Sequence, residues 1–138
     1  MRKTEQRLWD RMRAKAVEPR VRLERIENLV SVGTPDVIAI KNGRVTWIEL
    51  KAVEGFPAKA DTRVLGPKGL SVAQRNWHYQ WYAGDGASLI LIGVGPSIIY
   101  AIHGFLADSV NEMSRGELER HTVAKDWVAL FDYLGERR

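Results

Sequence analysis

The stretch GTPDVIAIKNGRVTWIELKA, Gly33 to Ala52, decides the fold, and it does so by placing an Asp, a Glu and a Lys in what otherwise reads as buried β-structure. Two apolar runs, Val37 to Ile40 and Val45 to Leu50, flank Asn42-Gly43, the dipeptide that most favours a two-residue type I′ hairpin turn. With these two residues in the turn, Lys41 pairs with Arg44, Ile40 with Val45, Ile38 with Trp47, and Asp36 with Glu49. The two carboxylates then face each other. Directly opposed residues have Cβ atoms roughly 4.5 to 5.5 Å apart, and like charges in that position are destabilising. Lys51, two residues beyond Glu49, projects from the same face, so the arrangement is two acids and one base. Two readings are open at this point. One is a divalent cation held by the carboxylates, with Lys51 acting on a water or on phosphate charge. The other is a structural ion-pair cluster at a sheet edge.

Upstream, Leu8, Trp9, Met12 and Ala16 recur at helical spacing between Arg, Lys and Asp, which predicts an amphipathic helix from Thr4 to about Ala16. Glu5 lies three and four residues before Leu8 and Trp9 and so falls on the buried stripe, a second charge out of place. Pro19 closes the helix, and a first strand is expected from about Ile26 to Val32. Downstream, VEGFPAKADTRVLGPKG has no periodicity and reads as a long mobile loop. Ser71 opens a helix through about Ala83, with Ser71 and Gln74 at capping-box spacing and Gly84 and Gly86 at its end. ASLILIGVG and SIIYAIHG read as two strands, the first apolar enough to be covered on both faces, and a last helix is expected over Lys125 to Leu134.

The chain has 138 residues, 45% hydrophobic and 28% charged, which suits one domain over 1–138 with a single core. Lys and Arg outnumber Asp and Glu by 21 to 17, for a net charge of +4 and a pI near 9.6, which moves the expectation towards a polyanionic partner. With no cysteine, thiolate metal sites, thiol nucleophiles and disulfides are excluded, and any metal chemistry must use oxygen ligands. The charged N-terminus lacks the apolar core of a signal peptide and no window approaches a membrane span, so the chain reads as cytoplasmic.

Pro35-Asp36, a hairpin and then Glu49-Leu50-Lys51 resemble the PD-(D/E)xK nuclease superfamily. The upstream helix with Glu5 and the downstream helix with Gln74 extend the resemblance over about Thr4 to Ile102. Within the superfamily, the short chain, the early helical Glu and RIENLVSVGTPDV look most like archaeal and phage Holliday-junction resolvases and the virus-type replication-repair nuclease (VRR-NUC) modules. The resemblance implies an α/β restriction-endonuclease-like core, αβββαβ, with a mixed central sheet flanked by helices. It implies Mg²⁺ or Mn²⁺ at Asp36 and Glu49, with the Leu50 carbonyl as a further ligand and Lys51 acting on the attacking water. Glu5 would complete the metal site or support it from outside, and Gln74 would face the site, a role compatible with its capping one. His78 and Tyr79 depart from the Gln-x-x-x-Tyr spacing of some exonuclease branches, which speaks against an exonuclease.

Arg20, Arg22 and Arg25 before the motif, and Lys59, Arg63 and Lys68 after it, are candidates for following a DNA backbone, or for a solvated charged surface. Trp77 and Trp81 could stack on unpaired bases, but their spacing is more that of core residues. Phe131, Tyr133 and Leu134 suit a dimer interface or the core. The expected activity is hydrolysis of phosphodiesters in branched DNA, four-way junctions included, by a homodimer making paired cuts. The alternatives are a sequence-specific, nicking or single-strand-selective endonuclease on the same core, and a non-catalytic DNA-binding module.

Overall fold

The computed structural model describes residues 3–16, 20–26 and 32–136. Helix α1, Lys3–Lys15, buries Glu5, Leu8, Trp9 and Met12 along one stripe, as the spacing predicts. Pro19, the expected stop, lies outside the described residues.

Strand β1 is Val21–Arg25, upstream of the expected Ile26 to Val32, of which residues 27–31 are outside the described chain. Its alternation of half-buried Val21, Leu23 and Arg25 with exposed Arg22 and Glu24 is that of an edge strand, and the charges disguise it as a connection. Strands β2, Val37–Lys41, and β3, Arg44–Val53, form the predicted hairpin, with Asn42 and Gly43 at φ 52° and 76°, the positive pair a type I′ turn requires. The ladder pairs Lys41 with Arg44, Ile40 with Val45, and Ile38 with Trp47, the register expected from the turn, and ends at Val37 with Ile48.

Helix α2, Val72–Ala83, crosses over to β4, Ser88–Val94, which runs parallel to β3, and β5, Ile98–His103, returns antiparallel. The sheet order is β1-β2-β3-β4-β5. The fold is therefore α/β, a mixed five-stranded sheet flanked by helices, with the αβββαβ order expected. Every residue of β4 is buried, because helices or loops cover both faces.

One face of the sheet packs Val37, Ala39, Ile48, Leu50, Leu89 and Leu91 against α1 and against α5, Trp127–Leu134. Phe131 and Leu134 are buried in this core, which takes them out of the reckoning as an exposed interface. The other face packs Val53, Ile90, Ile92, Tyr100 and Ile102 against α3, Ala107–Val110, α4, Arg115–His121, and the segment after β3. For that segment the sequence predicts a mobile loop. Instead Val64, Leu65 and Leu70 insert into the core, the Val64 N–H donates to the Met113 carbonyl (3.0 Å), and Leu70 exchanges two hydrogen bonds with the Asn111 side chain. Isolated apolar residues anchor it without creating a period.

Candidate active site

The hairpin opens where β2 begins. Beyond the Val37–Ile48 pair, β3 continues to Val53 alongside β4 but has lost β2 on its other edge. Asp36, immediately before β2, fills the gap: its Oδ2 accepts the Leu50 N–H at 2.9 Å. In an extended strand the N–H and C=O of one residue point to the same side, so the Leu50 carbonyl also faces this opening. Gly33 sets the approach. Its φ is +90°, and a Cβ there would stand 2.5 Å from the Ala73 carbonyl oxygen, so only glycine lets the chain before Asp36 lie on the first turn of α2.

Glu49 and Lys51 project from the α2 face of β3, and both are buried, Glu49 almost completely at 1% exposure. Gln74 reaches Glu49 from α2. Its Oε1 accepts the Ser71 N–H (2.9 Å) while Ser71 Oγ accepts the Gln74 N–H (3.2 Å), and its Nε2 donates to Glu49 Oε2 (3.2 Å). One side chain thus completes the capping box and orients the carboxyl group.

No donor among the described residues reaches Glu49 Oε1. Burial, then repulsion from Asp36 and a proton bridging the two carboxyls, push the Glu49 pKa up to about 10; Glu5 adds to the rise and Lys51 opposes it. A carboxyl so placed either keeps a proton or meets a cation. An oxygen-only donor set of two carboxylates and a strand carbonyl suits a hard divalent ion such as Mg²⁺ or Mn²⁺. Among the described residues no three Asp, Glu or His side chains converge as one ligand group. Glu5, 8% exposed on α1, is within electrostatic reach of Glu49 and sits beside the acidic pair.

The candidate phosphate contacts are more scattered. Arg22 is paired with Glu24 on one face of the edge strand (2.7 Å), whereas Arg25 donates to Gln6 of α1 on the other (2.7 Å). Arg63 is held by Glu112 at 2.5 Å. Arg20, Lys59 and Lys68 are exposed. Trp77 and Trp81 stack on each other at 4.9 Å and meet Trp47 edge-on, with Trp81 still exposed. His78 is fully buried, its Nδ1 2.8 Å from Ser88 Oγ, and burial lowers its pKa to about 4, so it is a neutral structural group. Two further basic residues, Arg7 and Arg11 of α1, line a cleft with the ends of β3 and β4; their four-residue spacing is their signal in the sequence.

No family model matches the chain, and no curated protein matches it in sequence. Among solved structures it is similar to Hjc, a Holliday junction resolvase from the archaeal hyperthermophile Archaeoglobus fulgidus, with a TM-score of 0.59, 10% identity and coverage of 93% of this chain and 96% of that one. At that identity the likeness is one of fold, and it extends over nearly the whole of both chains.

Proposed function

We propose that the chain is a PD-(D/E)xK endonuclease, dependent on Mg²⁺ or Mn²⁺, that hydrolyses phosphodiesters in branched DNA, with the four-way junction as favoured substrate. The reading rests on one observation above the others: a buried Glu49 oxygen that no donor among the described residues reaches, beside Asp36 and Lys51, at the open edge of β3. A purely structural ion pair would leave no such atom unsatisfied. The fold shared with a Holliday junction resolvase supports the choice of substrate and a kinship with the resolvases; the likeness to VRR-NUC modules rests on the sequence motif alone.

In this reading Asp36, Glu49 and the Leu50 carbonyl hold the cation, which when bound supplies Lewis acidity and neutralises charge at the phosphate. Asp36 is fixed by the Leu50 N–H and Glu49 by Gln74, so their remaining oxygens are presented without reorganisation. Lys51 orients the attacking water and stabilises charge on the phosphate as one P–O bond forms and the opposite one breaks. Glu5 acts from outside the ligand set, on the charge balance of the pair. The net positive charge favours DNA, and paired cuts in a two-fold junction call for a homodimer. Arg20, Arg22, Arg25, Lys59, Arg63 and Lys68 remain our candidates for contact with its more distant parts.

The test is incubation with a synthetic four-way junction, a linear duplex and a single strand, with Mg²⁺ or EDTA, alongside Glu49→Ala. Paired, metal-dependent cuts in the junction alone, lost in the variant, are expected. Equal cutting of all three would reject the junction preference, and no cutting with any divalent ion would reject the nuclease.

A further inference from the structure

Between the first turns of α1 and the carboxyl ends of the parallel strands β3 and β4 lies a cleft of about 170 Å³, lined by Thr4, Arg7, Arg11, Val53, Glu54 and Gly95 among others. Two of its lining residues continue segments that carry site residues: Thr4 precedes Glu5, and Val53 is two residues beyond Lys51. Crevices outside the carboxyl ends of parallel strands are the usual place for ligands in open α/β sheets.

Its two guanidiniums are short of partners. Arg7 is exposed and makes no hydrogen bond or ion pair with any described residue. Arg11 is half-buried, and its one hydrogen bond is long, Nη2 to the Gly95 carbonyl at 3.4 Å. Glu54, the acid of the cleft, is exposed and pairs with neither arginine among the described residues. The strand beneath makes room for Arg11: a Cβ at Gly93 would stand 3.2 Å from its Nη2 and 3.0 Å from Leu8 Cδ1. Glycine inside a fully buried strand weakens it, and marks a place where something must come close.

Resting on the nuclease reading, we infer that this cleft is a phosphate subsite: Arg7 and Arg11 bind a non-scissile phosphate of the DNA being cut. Val53 of the cleft lies two residues of β-strand, about 6.6 Å, beyond Lys51. Guanidinium forks match phosphate oxygens, and two of them one helical turn apart can close on one phosphate group from the same side. A second fixed point beside the reacting phosphate holds the strand in register for attack.

The test measures binding of a four-way junction by fluorescence anisotropy in Ca²⁺ over a salt series, for the wild-type chain, Arg7→Ala, Arg7→Ala/Arg11→Ala and a control, Arg13→Ala/Lys15→Ala. The control removes the same charge from the same helix outside the cleft. Arg7→Ala, which breaks no contact within the described chain, guards against a loss caused by misfolding. The double cleft variant should bind at least about tenfold more weakly, with the slope of log K against log salt reduced by about 1, and the control should stay within about twofold of wild type. Equal losses in both double variants, or no loss in the cleft variants, would overturn the subsite while wild-type cleavage still upheld the nuclease. A wild-type chain that binds no DNA would overturn both.

Discussion

Two lysines of the hairpin are buried to the same degree, Lys41 at 9% exposure and Lys51 at 8%, yet their surroundings differ. Lys41 lies at the turn end of the sheet, on the face covered by α5. Its Nζ donates to the Phe131 carbonyl at 2.9 Å and stands 3.9 Å from Asp132, so the ammonium meets the carbonyl-rich end of that helix. Lys51 lies at the open end, on the face of α2, with no hydrogen bond and no ion pair within 4.0 Å among the described residues, next to a carboxyl oxygen that also lacks a partner. Equal burial therefore has two meanings. Where the partners are complete, charge serves the fold; where they are missing, the fold holds it ready for something else.

The largest effect should come from the unsatisfied end. Asp36→Asn, Glu49→Gln and Lys51→Met should each lower single-turnover cleavage of a junction by about 10³-fold or more, since each removes a preorganised group at the reacting phosphate. The same variants should cost little stability. Glu49→Gln replaces a carboxyl that burial already keeps protonated, so its melting temperature in EDTA should match or exceed that of wild type. A Glu49→Gln protein that unfolds in EDTA while residual cleavage persists would make Glu49 structural and erase the contrast.

Lys41→Met inverts the pattern. It leaves the Phe131 carbonyl unpaired in the core and removes the ammonium from the helix end, which should cost about 3 kcal/mol. For a chain of this size that is a fall of roughly 10 °C in melting temperature. Cleavage below the transition should be unchanged, and loss of activity in a folded Lys41→Met protein would break the division.

The same contrast separates what could be read in the sequence from what could not. The Asn42-Gly43 turn fixes the register residue by residue, so the opposition of Asp36 and Glu49 follows from spacing alone, and Glu5 stands out as a charge on a buried stripe. Strand β1 escaped because Val21 and Leu23 alternate with Arg22 and Glu24 on an edge, where strand periodicity and a basic linker look alike. Val64, Leu65 and Leu70 escaped because they enter the core one at a time. Helix α4 had a legible start in Ser114 and Glu117, which form a reciprocal cap, but only Leu118 of its residues is buried, too little for a period. Sequence spacing reports neighbours within an element, such as Arg22 and Glu24 on β1; that Arg63 ends up beside Glu112 is decided between distant segments.

His78 falls between the two lysines, with Nδ1 bonded to Ser88 and a buried Nε2 that has no partner among the described residues. An unfolded histidine takes up its proton near 6.5, whereas burial delays this to about 4 in the folded chain. Below 6.5 the unfolded state binds more protons, so stability is complete above that value and is lost as the pH falls towards 4. Between pH 7 and 4.5 the loss should be roughly 2 kcal/mol, read from urea titrations, and His78→Gln should be less sensitive to acid by that amount. An unchanged slope would mean that the ring is charged in the fold and belongs with the site.

Gln74 joins the two kinds of polar group in one side chain, because Oε1 closes the α2 cap while Nε2 holds Glu49. Gln74→Ala removes both and should cost about 1 kcal/mol of stability together with roughly tenfold in cleavage, an outcome that cannot distinguish the roles. Gln74→Glu can. A glutamate at this position still accepts the Ser71 N–H, so the helix start should keep its stability to within about 0.5 kcal/mol. It can no longer donate to Glu49, and it brings another carboxylate to a pair already strained by like charge. Cleavage should therefore fall at least as far as in the alanine variant while the melting temperature stays near that of wild type. If cleavage instead survives wherever the cap survives, Gln74 serves the helix alone, and the boundary between satisfied and unsatisfied groups runs between α2 and the sheet.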